Sequence, residues 1–155
     1  YSWVGGMWAR MGDGERAAAA LRDFAQCFCL KNSFHANGDQ SRSGKSNFTY
    51  RPFTLEGNMA FASSLQEMLL QSHTGTVRIF PAIPPSWKDV SFRTLRTEGA
   101  FLVSAAMRDG KVSEVKVRSA VRCACSIRFP VRSKLKASYV RRAKFSRRIL
   151  LRVRN

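Results

Sequence analysis

Carboxylates are scarce: ten Asp and Glu stand against 27 Lys and Arg in 155 residues, a formal charge of +17. The last 35 residues, Val121 to Asn155, contain no carboxylate and carry 12 of the basic residues. The rest of the chain is only mildly basic, which argues against reading it as a nucleic-acid binder throughout. Histidine is nearly absent, with only His35 and His73, so a histidine-based metal site would have to borrow most of its ligands. Cysteine occurs as two C-x-C pairs, Cys27/Cys29 and Cys123/Cys125, a spacing shorter than the C-x2-4-C of structural zinc sites. On a helix the first pair would diverge by roughly 200°. Buried or free thiols are therefore expected rather than a metal site, and the redox compartment stays open. No stretch reaches the ~18 consecutive apolar residues of a membrane-spanning helix. Phosphate-binding loops, dinucleotide fingerprints, H-E-x-x-H and G-x-S-x-G are all missing. The chain starts at Tyr1, with neither a basic start nor a cleavage motif, so a removed leader or an upstream segment is expected. Its length suits one core, or a helical segment joined to a small second domain, and is short for a complete large enzyme.

What is present divides by periodicity. Residues Tyr1 to Leu30 carry a helical pattern, with Trp3, Met7, Trp8 and Met11 on one face and Leu21, Phe24 and Phe28 on another. Gly12-Asp13-Gly14 breaks it, and Asp13 is placed to cap a second helix, giving a helical hairpin. Lys31 to Pro52 is polar and aperiodic; a loop of roughly 20 residues in a compact protein is usually functional or disordered. Asn58 to His73 predicts a helix, with Phe61, Leu65, Met68 and Leu69 on one face, Asn58 as N-cap and Gly75 after the last turn. Strands are expected at Thr76 to Phe80, Val90 to Arg96, Ala100 to Met107 and Lys111 to Ser119. Asp109-Gly110 predicts a two-residue type I′ hairpin pairing Met107 with Val112 and Leu102 with Val117, with neither face marked as buried. The segment from Val121 has no clean period.

The segment Phe53-Thr54-Leu55-Glu56-Gly57-Asn58 ends the polar loop and opens the helix. A carboxylate at a helix start faces the positive end of the dipole, which suits a base. Gly57 permits a sharp turn or the close approach of a ligand. Acidic residues also occur at helix starts for stability alone, so the residues by themselves leave both readings open.

The run Phe53 to His73, FTLEGNMAFASSLQEMLLQSH, continues into Gly75, Phe80-Pro81-Ala82-Ile83-Pro84 and Trp87-Lys88-Asp89. Together these resemble the C-terminal part of glycoside hydrolase family 95, the inverting α-L-fucosidases with some α-L-galactosidases. Trp8-Ala9-Arg10-Met11-Gly12-Asp13-Gly14-Glu15-Arg16-Ala17 is similar to that family's W-A-R-L-G-D-G-x-R-A hairpin, and Leu95 to Phe101 and Asp109-Gly110-Lys111 to its terminal β domain. The resemblance spans residues 1–119 and leaves the basic tail outside.

It implies an α+β chain: the last helices of an (α/α)6 barrel over residues 1–75, part of a C-terminal β-sandwich over 76–120, and a basic tail over 121–155. It also implies a mechanism in which a Glu protonates the glycosidic oxygen while an Asp, acting through asparagines, polarises the attacking water. That Asp lies in a motif close to F-Q-I-D-x-N-F-G, whose Asp corresponds to Glu56 here and whose last Phe corresponds to Met59. The general acid and the asparagines lie upstream of the matched region, so the chain alone is expected to be inactive. Asn47, Tyr50, Arg51 and Asn58 are candidate sugar contacts by polarity and proximity to Glu56; a loop anchor, a packed ring, a solvated cation and a helix cap are the respective alternatives. The resemblance calls for no cofactor and no metal. It implies a fucosylated or related glycan as substrate, the missing upstream barrel as partner, and a periplasmic or secreted parent. The rival reading is a small basic module that binds nucleic acid or anionic surfaces through residues 121–155.

Overall fold

The computed structural model describes residues 1–119, 126–129 and 148–152. The chain divides into two compact units, Tyr1–Met68 with Ala82–Pro84, and Leu69–Pro81 with Pro85–Asn155. In the first, α1 (Ser2–Arg10) and α2 (Gly14–Cys27) form a helical hairpin. Asp13 caps α2 by accepting from the Arg16 amide at 3.0 Å. The buried face of α1 is its small one, Ser2, Gly5 and Ala9, while Trp3, Met7 and Met11 are 74, 64 and 71% exposed. Size decides this: a Cβ on Gly5 would lie 2.8 Å from Leu21, and one on Gly6 2.7 Å from the Ser64 hydroxyl. That hydroxyl is buried and donates to the Ser2 carbonyl at 2.7 Å. Gly14, at the start of α2, lies beneath Ala82–Pro84, where a Cβ would come 2.6 Å from the Ala82 oxygen and from the Ile83 carbonyl carbon. Gly14 of the G-D-G motif and the A-I-P end of F-P-A-I-P, nearly 70 residues apart, are thus two sides of one contact.

The third helix, α3 (Leu55–Leu69), starts three residues before Asn58 and ends before His73. Asn58 is therefore not its N-cap. The helix stops because Leu70–Gln71 (β1) pairs antiparallel with Val77–Ile79 (β2). Phe61 packs against the buried cluster Phe24, Cys27 and Phe28, whereas Leu55 is 41% exposed and anchors little.

The polar segment between α2 and α3 is ordered by main-chain bonds that periodicity does not reveal. Thr54 N donates to His35 O, Asn37 N to Pro52 O and Asp39 N to Phe48 O, at 3.1, 3.1 and 2.7 Å. Gln40 N donates to Cys27 O at 2.6 Å, and Lys45 pairs with Asp23 of α2 at 2.8 Å. Inside the loop Asp39 is 1% exposed, and its carboxylate accepts from the Ser41 amide and hydroxyl at 2.9 and 2.7 Å and from the Ser43 hydroxyl at 2.8 Å. The Ser41 hydroxyl above all, then Ser43 and the amides of Ser41 and Lys45, hold this carboxyl well below the usual carboxylate range, against the opposing effect of burial.

The second unit is β. A sheet ordered β1-β2-β6 adds Ile127–Arg128 (β6) parallel to β2. A second, antiparallel sheet is ordered β3-β4-β5-β7, from Val90–Arg96 (β3), Phe101–Arg108 (β4), Lys111–Ser119 (β5) and Arg148–Arg152 (β7). Asp109 and Gly110 both have positive φ, 50° and 72°, as the expected turn requires. Met107 faces Val112, but Leu102 faces Arg118 rather than Val117. A bulge past Ala106/Met107 places one extra residue on β5 and shifts every later pair. It also fixes the buried face: Phe101, Val103, Ala105 and Met107 of β4 meet Val112, Val115 and Val117 of β5, whose buried phase changes across the bulge. A second bulge in β3 puts Thr94 at φ 58°, where its amide donates to the Ser104 hydroxyl at 2.9 Å. Phe80 meets Phe92 edge-on at 5.4 Å in the core of this unit.

Two pieces of the basic tail, β6 and β7, thus take part in sheets; the nucleic-acid or anionic-surface reading of 121–155 otherwise falls on residues outside those described. No helix among the described residues is long and apolar enough to cross a membrane.

Two outcomes are expected. Gly14→Ala should destabilise the chain in urea unfolding by about 1–3 kcal/mol through overpacking, despite alanine's better helix propensity. The exposed-site control Ala19→Gly should cost only about 1 kcal/mol or less, as propensity alone dictates. For Asp39 the folded pKa is depressed, so its stabilisation is complete above the ordinary carboxylate value of roughly 3.9 and is lost as pH falls through and below it. Amide exchange protection at Ser41 and Lys45, corrected for intrinsic rates, should weaken between pH 5 and pH 2, and Asp39→Asn should show weak protection across the same range. Equal protection in both proteins would remove Asp39 as the loop's anchor.

Candidate active site

Glu56 is the second residue of α3, in its first turn, and is exposed. The helix dipole favours negative charge at this position. The turn around it is held by the polar loop. The Asn58 side chain spans back to that loop, accepting from the His35 amide at 2.8 Å and donating to the Ser33 carbonyl at 2.9 Å. Both ends of its amide thus serve as a tether, where the sequence suggested a cap.

Gly57 permits a close approach, and the group that approaches is His35. A Cβ there would run into Nδ1 of the imidazole and lie 2.6 Å from its Cγ. His35 Nδ1 lies 2.5 Å from the Thr54 hydroxyl and 3.0 Å from the Thr54 carbonyl oxygen. The hydroxyl serves either protonation state, donating to a bare nitrogen or accepting from a protonated one; the carbonyl can only accept. The imidazole stacks on Phe24 at 4.9 Å, and Phe24 stacks on Phe61 at 5.5 Å. A column of three rings therefore joins the loop to α2 and α3.

Asn47, Tyr50 and Arg51 lie on the outgoing side of the loop, all exposed; Tyr50, at 64% exposure, is not a packed ring. Its carbonyl accepts from Gln40 Nε2 at 3.4 Å. Phe34 and Phe53 sit ring to ring at 6.1 Å beside the segment and are also exposed. The loop thus offers amide, phenol, guanidinium and aromatic surface on one continuous stretch of chain, Asn47 to Phe53, that ends three residues before Glu56. Sequence reasoning missed His35, and the one available signal was Gly57, whose missing side chain pointed to a close neighbour without naming it. Asp39 was missed because a buried carboxylate satisfied by serines looks the same in sequence as a solvated loop acid.

Cys27 closes α2 in a buried position and Cys29 lies beyond the helix end, opposite His35; both are free thiols, and burial pushes the Cys29 thiol up. Among the described residues no group of three or more His, Cys, Asp or Glu is arranged to hold a metal ion.

Comparison with known proteins converges on one family. The model of the glycoside hydrolase family 95 C-terminal domain matches residues 71–149, about half of the chain and some thirty residues past the segment whose motifs carry the resemblance. Alpha-L-fucosidase 2 of Arabidopsis thaliana is 29% identical over 115 residues, 73% of this chain. The chain spans 13% of that relative's length. With half of its length matched by that model, the chain belongs to glycoside hydrolase family 95.

Proposed function

We propose that this chain is the C-terminal part of an inverting α-L-fucosidase-like glycoside hydrolase that removes terminal α-L-fucosyl or α-L-galactosyl residues from glycans. On this reading the three helices close an (α/α)6 barrel whose other helices precede them, and the β unit belongs to the C-terminal domain. The observation that carries the proposal is the exposed Glu56 in the first turn of α3, inside the segment that resembles the family's water-activating motif. The outward-facing Trp3, Val4, Met7 and Met11 support it, because so large an apolar face on one helix suits burial against neighbouring helices.

Inversion needs two carboxyl groups about 6.5–9.5 Å apart, one protonating the leaving oxygen and the other activating water on the opposite face of the sugar. Glu56 takes the second role: acting through the asparagines that hold the water, it polarises that water and builds negative charge on the attacking oxygen. The general acid comes from the upstream barrel. Asn47, Tyr50 and Arg51 are the proposed sugar contacts on the loop, and Asn58 contributes by holding that loop. One methylene more than aspartate shifts the carboxylate outward, and a misplacement of about 1 Å at a reacting centre is worth on the order of 100-fold in rate. A glutamate here therefore calls for a backbone seated to match its length.

The purified 155-residue chain should hydrolyse aryl α-L-fucosides no faster than buffer; turnover that Glu56→Gln abolishes would show that the chain is self-sufficient and overturn the split-site reading. In the full-length protein, Glu56→Gln should lower kcat by at least ~100-fold with substrate binding largely kept, since it preserves shape and removes the base. Glu56→Asp should be tolerated. Near-full activity of a folded Gln variant would reduce Glu56 to a helix-start residue.

A further inference from the structure

We infer that His35 is the positioning residue that sets where the Glu56 carboxylate stands; the inference rests on the proposed role of Glu56. A helix start is ordinarily fixed by a cap and by an apolar anchor in its first turn. Neither is supplied in the usual way here: Leu55, the apolar residue of the first turn, is 41% exposed, and Asn58 is engaged with the loop. The imidazole does the work instead, and it touches the chain on both sides of Glu56. Two residues before, Thr54 meets Nδ1 with its hydroxyl and its carbonyl. One residue after, Gly57 lets the ring lie against the helix backbone. The Gly57 amide donates to the same Thr54 carbonyl at 3.0 Å, so the ring nitrogen and the first helical turn meet at one oxygen.

The ring is itself immobilised. Its face rests on Phe24, the His35 amide donates to Asn58 and the His35 carbonyl accepts from Thr54. Every one of these partners lies in the first compact unit. His35 thus transmits the rigidity of α2 to the one turn whose displacement would move the carboxylate. Because it acts through Thr54 and Gly57 and not on the substrate, its loss should appear in kcat more than in KM.

The test has two arms. In the chain itself, NMR should show the Gly57 amide losing exchange protection in His35→Ala and largely regaining it in His35→Asn, whose amide can reach the Thr54 hydroxyl. Unchanged Thr54 to Gly57 resonances and protection in His35→Ala would overturn the inference without reference to activity. In the full-length protein, His35→Ala should lower kcat roughly 10- to 100-fold with KM changed far less, and His35→Asn should recover part of it. Gly57→Ala, which expels the ring, should produce a similar loss. The double variant His35→Ala/Gly57→Ala should be no worse than Gly57→Ala alone, because removing the ring makes room for the added methyl. Independent, multiplying losses would place the two residues in separate roles and sink the idea. If Glu56→Gln abolishes turnover while folded His35→Ala keeps it, only the positioning role fails; if Glu56→Gln is itself active, the reading of the site fails first.

Discussion

In the helical unit neighbouring groups approach bare α-carbons closely enough to exclude any added side chain, and the arrangement of that unit follows from this. Residues with little or nothing beyond Cα stand at these contacts: Gly5 against Leu21, Gly6 against the Ser64 hydroxyl, Gly14 against the Ala82–Pro84 backbone and Gly57 against the His35 ring, with Ala9 and Ala17 fully buried. Close contact of this kind gains many small dispersion interactions and tolerates no added methyl, so it fixes relative position more tightly than a layer of leucines would. It also turns the usual logic of amphipathic helices around. On α1 the large apolar residues lie on the face away from α2 and α3, because only the small face fits between them.

That inversion explains which parts of the fold the sequence could and could not disclose. Periodicity marks an apolar stripe and says nothing of whether a glycine-rich stripe opposite it is the one buried. The hairpin of α1 and α2 was legible because Asp13 is a strong cap and Gly12 and Gly14 break the helical run around it. The start of α3 was not: Asn58 has the composition of a cap, yet its amide is used across 25 residues of sequence, at Ser33. The order of the polar loop was illegible for a related reason. Its main-chain bonds run between residues of no periodic pattern, and its one buried charge is neutralised by hydroxyl and amide donors rather than by a cation that charge counting would find.

In the β unit the turn was legible and the register beyond it was not. Asp109-Gly110 specifies positive φ at two positions and little else satisfies that requirement. Pairing further along the hairpin depends on the bulge in β5. The bulge does have a trace in the sequence: the valines fall at 112, then at 115 and 117, so an even phase gives way to an odd one. A strand of strict alternation cannot bury all three on one face, and an extra residue between the first and second can. The same reasoning accounts for the ambiguity over which face is inner, since strict alternation without the bulge puts valine on both faces.

On the proposed reading, the motif that this segment resembles carries aspartate where the chain has Glu56, and the surroundings bear on that difference. A glutamate adds one rotatable bond between backbone and carboxylate, so fixing the backbone leaves one more torsion to be set by other groups. The packing described here acts on the backbone only: His35 and Gly57 set the turn, and Asn58 ties it to the loop. On the proposed reading, the remaining torsion is taken up by the water and by the asparagines that hold it, contributed by the upstream barrel. A longer acid can then do an aspartate's work provided that its Cα is held rigidly and at a compensating distance. Rigidity at that point is what the ring column of Phe61, Phe24 and His35 supplies, and a glutamate on a loosely held helix start would scatter its carboxylate over more positions than one water can follow.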